Sequence, residues 1–432
     1  MATNKQKHIL RSRLIVMNFL QFAVWGAYLT SQGRYLGSVG LASSIGWFYS
    51  IQGIVSIFMP AIMGIIADKW IQAQKIYGFC HLSAALFMMA AGIYGMNAGS
   101  EPRLWILFSL YSLSVAFYMP TLALSYSVSY NALERAGMDT VKDFPPIRVF
   151  GTVGFICSMW FVDLMGYMAG PGQYIASAFL GIILGCYAFS LPACPVATAV
   201  GKEKTSFAEM LGLDAFKLFK DSKMAIFFIF SLLLGAALQI TNSFANPFLG
   251  DFGGVEQYKG SFGAEHSGIL ISLSQISETL CILLIPFCLR KWGIKKVMLI
   301  AMFAWVLRFA FFGLGNPGGG VWLFVLSMIV YGVAFDFFNI SGSLFVNQNT
   351  DTSMRSSAQG LFMLMTNGIG AAVGTLAAQA VVNVLVNVHP AETEAVARMA
   401  GWQTSWYVFA AYSLIVAVLF AIIFKYKHQP EK

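Results

Sequence analysis

The sequence predicts an all-α integral membrane protein, with twelve transmembrane helices arranged as two six-helix bundles. Three observations carry that prediction. Of 432 residues, 58% are hydrophobic and only 11% are charged, and a water-soluble protein of this size needs a larger polar skin. The apolar residues gather in twelve long runs, where one spanning helix needs about 20 such residues. Lys and Arg fall between the runs, mostly on alternate sides.

The first run, 14–33, follows the basic residues Lys5, Lys7, Arg11 and Arg13. It is long and no small-residue cleavage site follows it, so it reads as a retained span rather than a removed signal peptide. Runs at 43–66, 75–95 and 104–130 follow. The fifth, 147–167, begins FPPIRVFGTVGF (144–155), where Pro145 and Pro146 suit a helix start. The sixth is 173–192. The second half repeats the scheme with runs at 224–249, 267–288, 296–314, 320–346, 357–386 and 403–424. Gly and Pro inside these runs are tolerated in membrane helices. A β-barrel would show shorter strands that alternate polar with apolar residues, and no such pattern is present.

Orientation follows from the basic residues. With a cytoplasmic amino terminus, 21 of the 27 Lys and Arg fall in the tails and even-to-odd loops. Arg34, Arg103, Lys259 and Arg398 fall on the opposite side, and Arg148 and Arg308 lie within or at the edge of spans. Both termini are therefore expected to be cytoplasmic. The longest linker, 193–223, divides the chain into an amino-terminal bundle, 1–192, and a carboxy-terminal bundle, 224–432. Within it LGLDAFKLF (211–219) suits a short amphipathic helix on the membrane surface. KWIQAQKI (69–76) after the second span and KWGIKKV (291–297) after the eighth occupy equivalent loops of the two halves. Such internal repeats are typical of secondary transporters, whose site lies between the halves near the midplane.

Several function classes drop out. The net charge of +8 is scattered over segment ends rather than gathered on one face, which argues against nucleic-acid binding. The six cysteines form no CxxC or Cys/His metal spacing and most lie in apolar runs, so buried free thiols are expected rather than a disulfide framework. No Ser/His/Asp set, metal motif or Gly-rich phosphate loop points to an enzyme, and His8, His81, His266, His389 and His428 mostly sit at ends or loops.

Polar groups inside spans carry the functional signal. Of the 19 acids, Glu278 and Asp336 sit deep within spans, and Asp163 lies near a span end. A charged group in the bilayer core costs about 3 kcal/mol on insertion scales, so retention calls for a reason. One reason is an ion pair that locks helices together, with Arg308 as partner of either acid. The other is transport. Gln275 and Glu278 are i and i+3 on one helical face, as are Gln239 and Asn242, and Asp336 and Asn339. Tyr331 and Phe335 are i and i+4, and Arg148, Thr152 and Phe155 share a stripe on the fifth span. Each amide pair alone could be an interhelical hydrogen bond worth about 0.6 kcal/mol. Four polar stripes on spans five, seven, eight and ten together suggest a wet cavity.

Amides offer donors and acceptors to a neutral, polyhydroxylated solute, and Phe155 and Phe335 offer faces to a flat ring. There is no Arg and Lys cluster for phosphates. A nucleoside fits, and a sugar fits nearly as well.

At these residues the chain resembles the nucleoside:proton symporters of the major facilitator superfamily. DFPPIRVFGTVGF (143–155), LGLDAF (211–216), LQITN (238–242), SQISETL (274–280), AFDFFNISGS (334–343) and SSAQG (356–360) carry the likeness, which runs over nearly the whole chain. The resemblance implies nucleoside import driven by a proton gradient. It places substrate binding on Arg148, Thr152, Phe155, Gln239, Asn242, Gln275, Glu278, Tyr331 and Phe335, with Asn339 as a neighbour. It also implies proton coupling at Asp336, with Glu278 as a ligand that also titrates. No metal or cofactor is expected beyond the proton as coupling ion. Expected partners are nucleosides such as uridine and adenosine, and membrane lipid, with the chain as a monomer in a bacterial inner membrane. The alternatives are a proton-coupled sugar carrier and a non-transporting receptor on a transporter scaffold.

Overall fold

A computed structural model describes residues 4–194, 213–351, 354–391 and 393–426. The described residues are mostly helical, with no strand among them. Nine helical stretches among them are long and apolar enough to cross a membrane, and two shorter apolar helices are Gly172–Ala188 and Ser267–Ile282. The first expected span falls on Asn4–Gly26, whose first turns carry Lys5, Lys7, Arg11 and Arg13. Those charges dilute its apolar character.

The helices that position the site residues are α1 (Asn4–Gly26), α2 (Gln32–Ser38), α3 (Ile45–Lys69), α4 (Ala73–Ala98), α5 (Leu104–Arg135), α6 (Thr140–Leu164) and α7 (Gly172–Ala188). After them come α8 (Ser222–Leu238), α9 (Ile240–Asp251), α10 (Ser267–Ile282), α11 (Ile285–Leu314) and α12 (Val321–Gln348). The chain closes with α13 (Arg355–Met363), α14 (Ala371–Leu385) and α15 (Ala395–Ile423). Two compact units emerge. One comprises Met1–Leu41 and Ile54–Thr205, the other Ala42–Gly53 and Ser206–Lys432. The start of α3 thus groups with the second unit. There Gln379 on α14 accepts from the Gly46 N–H at 2.6 Å, and the Ser50 hydroxyl donates to the Ala372 carbonyl at 2.8 Å.

In the first unit α1 packs along α6 and α7, and α4 sits between α5 and α7. The approach of α6 to α1 depends on Gly154, where an added Cβ would collide with the Phe19 backbone. Small residues at such crossings let membrane helices come close enough for dispersion to hold them. The Arg11–Asp143 ion pair joins the two helices at their charged ends. Where α1 meets α4 and α5 the interior is polar. Gln21 Oε1 accepts from the Tyr77 hydroxyl at 2.7 Å and lies 2.8 Å from His81 Nε2. Gln21 Nε2 donates to Thr121 at 2.9 Å, and Tyr118 donates to the Gln21 carbonyl at 2.7 Å. His81 therefore belongs to the buried interior, unlike the histidines at ends and loops.

In the second unit α12 lies between α10 and α11, and α11 also packs on α15. Gly332 makes the α10 crossing possible, because any Cβ there would meet the Ser277 backbone. Rings fill one end: Phe248 sits against Phe312, Phe324, Trp402 and Trp406. Asp251 ties the same end together, accepting from Arg398 Nε at 2.6 Å and Trp402 Nε1 at 2.7 Å.

The structure refines three sequence expectations. The seventh run, 224–249, is two helices, α8 and α9, broken at Gln239. Asp221 opens α8 by accepting from the Met224 N–H at 2.9 Å. The eighth and ninth runs meet within α11, where Gly293 at φ 74° turns the chain sharply, a conformation open to glycine at little cost. The eleventh run contains a π-helical stretch, Leu364–Gly370. Linker residues 195–212 lie outside the described residues, so the expected surface helix 211–219 is described only from Leu213, where a 3-10 helix runs to Lys220. The cysteines are all free, but Cys157 and Cys186 are exposed, so burial holds for four of them.

Candidate substrate and proton site

The site residues of the first unit lie on α6. The Arg148 side chain folds back so that its guanidinium carbon sits 3.9 Å from the centroid of the Phe22 ring, and its Nε donates to the Tyr126 hydroxyl at 3.0 Å. Gly151 leaves room for this, since a Cβ there would press on both Phe22 and Arg148. Half-buried Thr152 follows one turn on. Phe155 is buried and meets Trp25 of α1 edge-on, with centroids 6.3 Å apart at 86°. Phe22 and Trp25 are i and i+3 on α1, and sequence reasoning missed both. The cue was the spacing of two large rings in QFAVWG (21–26).

The site residues of the second unit come from α9, α10, α12 and the break before α9. Gln239 sits at that break with φ −95° and ψ −9°, and its backbone N–H bonds the Ala237 carbonyl. Its Oε1 accepts from Asn242 Nδ2 at 2.9 Å, so the i, i+3 pair read from sequence is an internal hydrogen bond. On α10, Ser274 and Ser277 are buried while Gln275 and Glu278 are half-buried. Ser277 donates to the Ile329 carbonyl of α12, which leaves the Gln275 and Glu278 face beside that contact.

Tyr331 is the centre of the second cluster. Its ring stacks on Phe335 at 5.6 Å and 18°. The Arg308 guanidinium carbon lies 4.4 Å from the centroid of the same ring, the Glu278 backbone faces Gly332 next along α12, and Asp336 follows Phe335. Asp336 is buried, and Asn339 one turn further donates to the Phe335 carbonyl at 3.1 Å. The Asn339 Oδ1 is buried without a hydrogen bond among the described residues. The units therefore collect Arg148, Thr152 and Phe155 in one set, and Glu278, Tyr331, Phe335, Asp336 and Asn339 in another.

Arg308 bears on the ion-pair alternative. It is buried, yet it pairs with neither acid among the described residues. Its NH1 donates to the Ser327 carbonyl at 2.7 Å and to Ser274 Oγ at 3.3 Å. Ser327 Oγ donates back to the Arg308 carbonyl at 2.9 Å. The guanidinium also lies over the rings of Tyr331 and Phe312. A carbonyl, a hydroxyl and two π faces stand in for a carboxylate, leaving the acids to other roles. No group of three or more His, Cys, Asp or Glu among the described residues has the arrangement of a metal site.

The chain matches the family model described as "Nucleoside H+ symporter" over residues 9–429. It is 48% identical to the xanthosine permease of Escherichia coli (strain K12) over 424 residues, covering 97% of each chain. It is 46% identical to the nucleoside permease NupG of the same organism, again over 97% of each. A crystal structure of a mutant form of the nucleoside transporter NupG is similar to it with a TM-score of 0.89 at 45% identity, covering 96% of this chain and 100% of that one. Together with the apolar helices, these similarities show a multi-pass membrane transporter rather than an enzyme, and the chain belongs to the nucleoside H+ symporter family.

Proposed function

We propose that the chain imports nucleosides with protons by alternating access, with its substrate ligands drawn from α6 in one unit and from α9, α10 and α12 in the other. In this reading Arg148, Thr152, Phe155, Gln239, Asn242, Gln275, Glu278, Tyr331, Phe335 and Asn339 bind the nucleoside. Asp336 carries the coupling proton, and Glu278 is a substrate ligand that also titrates. The observation that supports it most is the Tyr331–Phe335 stack at the α10 crossing, where the Glu278 backbone faces Gly332 and Asp336 follows Phe335 on α12. A flat base suits the ring faces, and ribose hydroxyls suit Glu278 and the amides.

The coupling logic is electrostatic. Burying an ionised carboxylate is expensive unless a cation or hydrogen bonds compensate it. Protonated Asp336 is neutral and is tolerated in a closed, occluded state. Ionised Asp336 favours a state in which water reaches it. Binding a proton and a nucleoside therefore removes the charge and the unfilled polar groups that oppose closure, and release on the other side restores them. The relatives' names support nucleosides as substrates, with a purine nucleoside, xanthosine, among the candidates. The halves that rock are residues 1–192 and 224–432, the termini are cytoplasmic, the working form is a monomer, and the location is a bacterial inner membrane. The distribution of Lys and Arg supports the orientation.

The test uses proteoliposomes loaded with a pH-sensitive dye. Uridine or xanthosine added outside acidifies the lumen as it enters. Measurable nucleoside uptake without lumenal acidification rejects symport. Competition by unlabelled nucleosides but not by disaccharides separates this reading from a sugar carrier.

A further inference from the structure

One cavity is lined by none of the residues of either cluster. It is an open groove of about 640 Å³ between α11 and α12, floored by Leu299, Ile300, Phe303, Leu307, Val330 and Val333, and Lys296 stands at one end beside Trp292. We propose that this groove binds an anionic diacyl phospholipid, with the headgroup on Lys296 and one acyl chain along the apolar floor.

Three observations fix the ligand's chemistry. The first is length. From Lys296 to Leu307 the helix rises about 16 Å at 1.5 Å per residue, close to half of a hydrocarbon core of about 30 Å. The floor is thus one leaflet deep, and Lys296 sits where headgroups begin. The second is charge. Arg290, Lys291, Lys295 and Lys296 fall within seven residues, and basic clusters of this kind attract anionic lipid. The third singles out Lys296 among the four. Arg290 Nε donates to the Pro286 carbonyl at 3.3 Å, Lys295 Nζ donates to the Ala421 carbonyl at 3.0 Å, and Lys291 lies over the Phe287 and Trp292 rings. Lys296 is exposed and has no hydrogen-bond or ion-pair partner among the described residues. An ammonium at the mouth of a leaflet-deep apolar groove matches a phosphate that carries an acyl chain. The indole of Trp292 beside it suits the same interfacial level.

Native mass spectrometry of the detergent-purified full chain, exposed to equal amounts of phosphatidylglycerol and phosphatidylcholine, tests the assignment. Phosphatidylglycerol is expected to be retained about fivefold over phosphatidylcholine, the factor that one lysine near an anionic surface supplies. Lys296→Glu abolishes the preference, whereas Arg290→Glu, the same charge change off the groove, leaves it. Ala304 also lines the groove, and Ala304→Trp narrows it and lowers retention of both lipids. Equal retention of the two lipids by the unaltered protein overturns the proposal. So does equal loss in Lys296→Glu and Arg290→Glu, which marks a diffuse basic surface. A dimer by light scattering that turns monomeric in Ala304→Trp gives the groove to a second copy of the chain and overturns it as well.

Discussion

The Arg308 guanidinium carbon lies 4.4 Å from the centroid of the Tyr331 ring, and Tyr331 in turn stacks on Phe335. A buried cation in α11 therefore sets the position of a ring pair in α12, and its own placement is fixed by Ser327 and Ser274. Arg308→Lys keeps the charge but loses the planar fork that serves two oxygens and a ring face together. The nucleoside KM is expected to rise about tenfold, with protein yield near that of the unaltered chain. Radiolabelled uptake in proteoliposomes measures it, and an unchanged KM removes Arg308 from the positioning of Tyr331.

Phe335→Ala removes one ring of the stack. Loss of base–aromatic stacking costs about 1–3 kcal/mol per base, so nucleoside affinity should fall by about tenfold or more. Ribose alone, which has no base, should compete equally poorly against the unaltered and substituted chains. Equilibrium binding in detergent distinguishes the two.

Asp336→Asn fixes this side chain in a neutral state. Net accumulation against a gradient is expected to disappear, while exchange of labelled for unlabelled nucleoside continues. Uptake with and without a protonophore reads the first, and counterflow reads the second. Continued concentration of substrate by the variant would move the coupling role elsewhere.

Gln21→Leu deprives Tyr77, His81 and Thr121 of a shared partner in the interior of the first unit. Each buried polar group left unsatisfied costs about 1–3 kcal/mol. The melting temperature in detergent should fall by about 5 °C or more, a loss that Gln21→Asn does not repair because its amide is shorter.

Gly332→Ala presses a methyl group into the Ser277 backbone. The α10 crossing must widen, which carries Glu278 away from Tyr331. Lower yield and weakened nucleoside binding are expected together, measured on size-exclusion-purified protein.

Hydropathy carries far along this chain because lipid demands long apolar helices. Each of the twelve expected runs overlaps a helix, and the two intramembrane acids stand out by their cost alone. What remained hidden depends on contacts between distant residues. The break at Gln239 has no Pro or Gly at the position to announce it. The partners of Arg308 are a backbone carbonyl, a hydroxyl and aromatic faces, none of which has a sequence signature. Phe22 and Trp25 read as ordinary apolar residues until α6 brings Arg148 and Phe155 against them. The grouping of Ala42–Gly53 with the second unit is likewise a matter of tertiary contact.

The interruption between α8 and α9 has a mechanical meaning. Gln239 sits where the regular ladder lapses, its N–H reaching two residues back to Ala237, and its amide projects from that same joint to Asn242. Under the proposed function, a nucleoside that takes over the Gln239–Asn242 bond acts at the joint between the two helices rather than at the far end of either. Binding and any change in the angle between α8 and α9 would then share one residue.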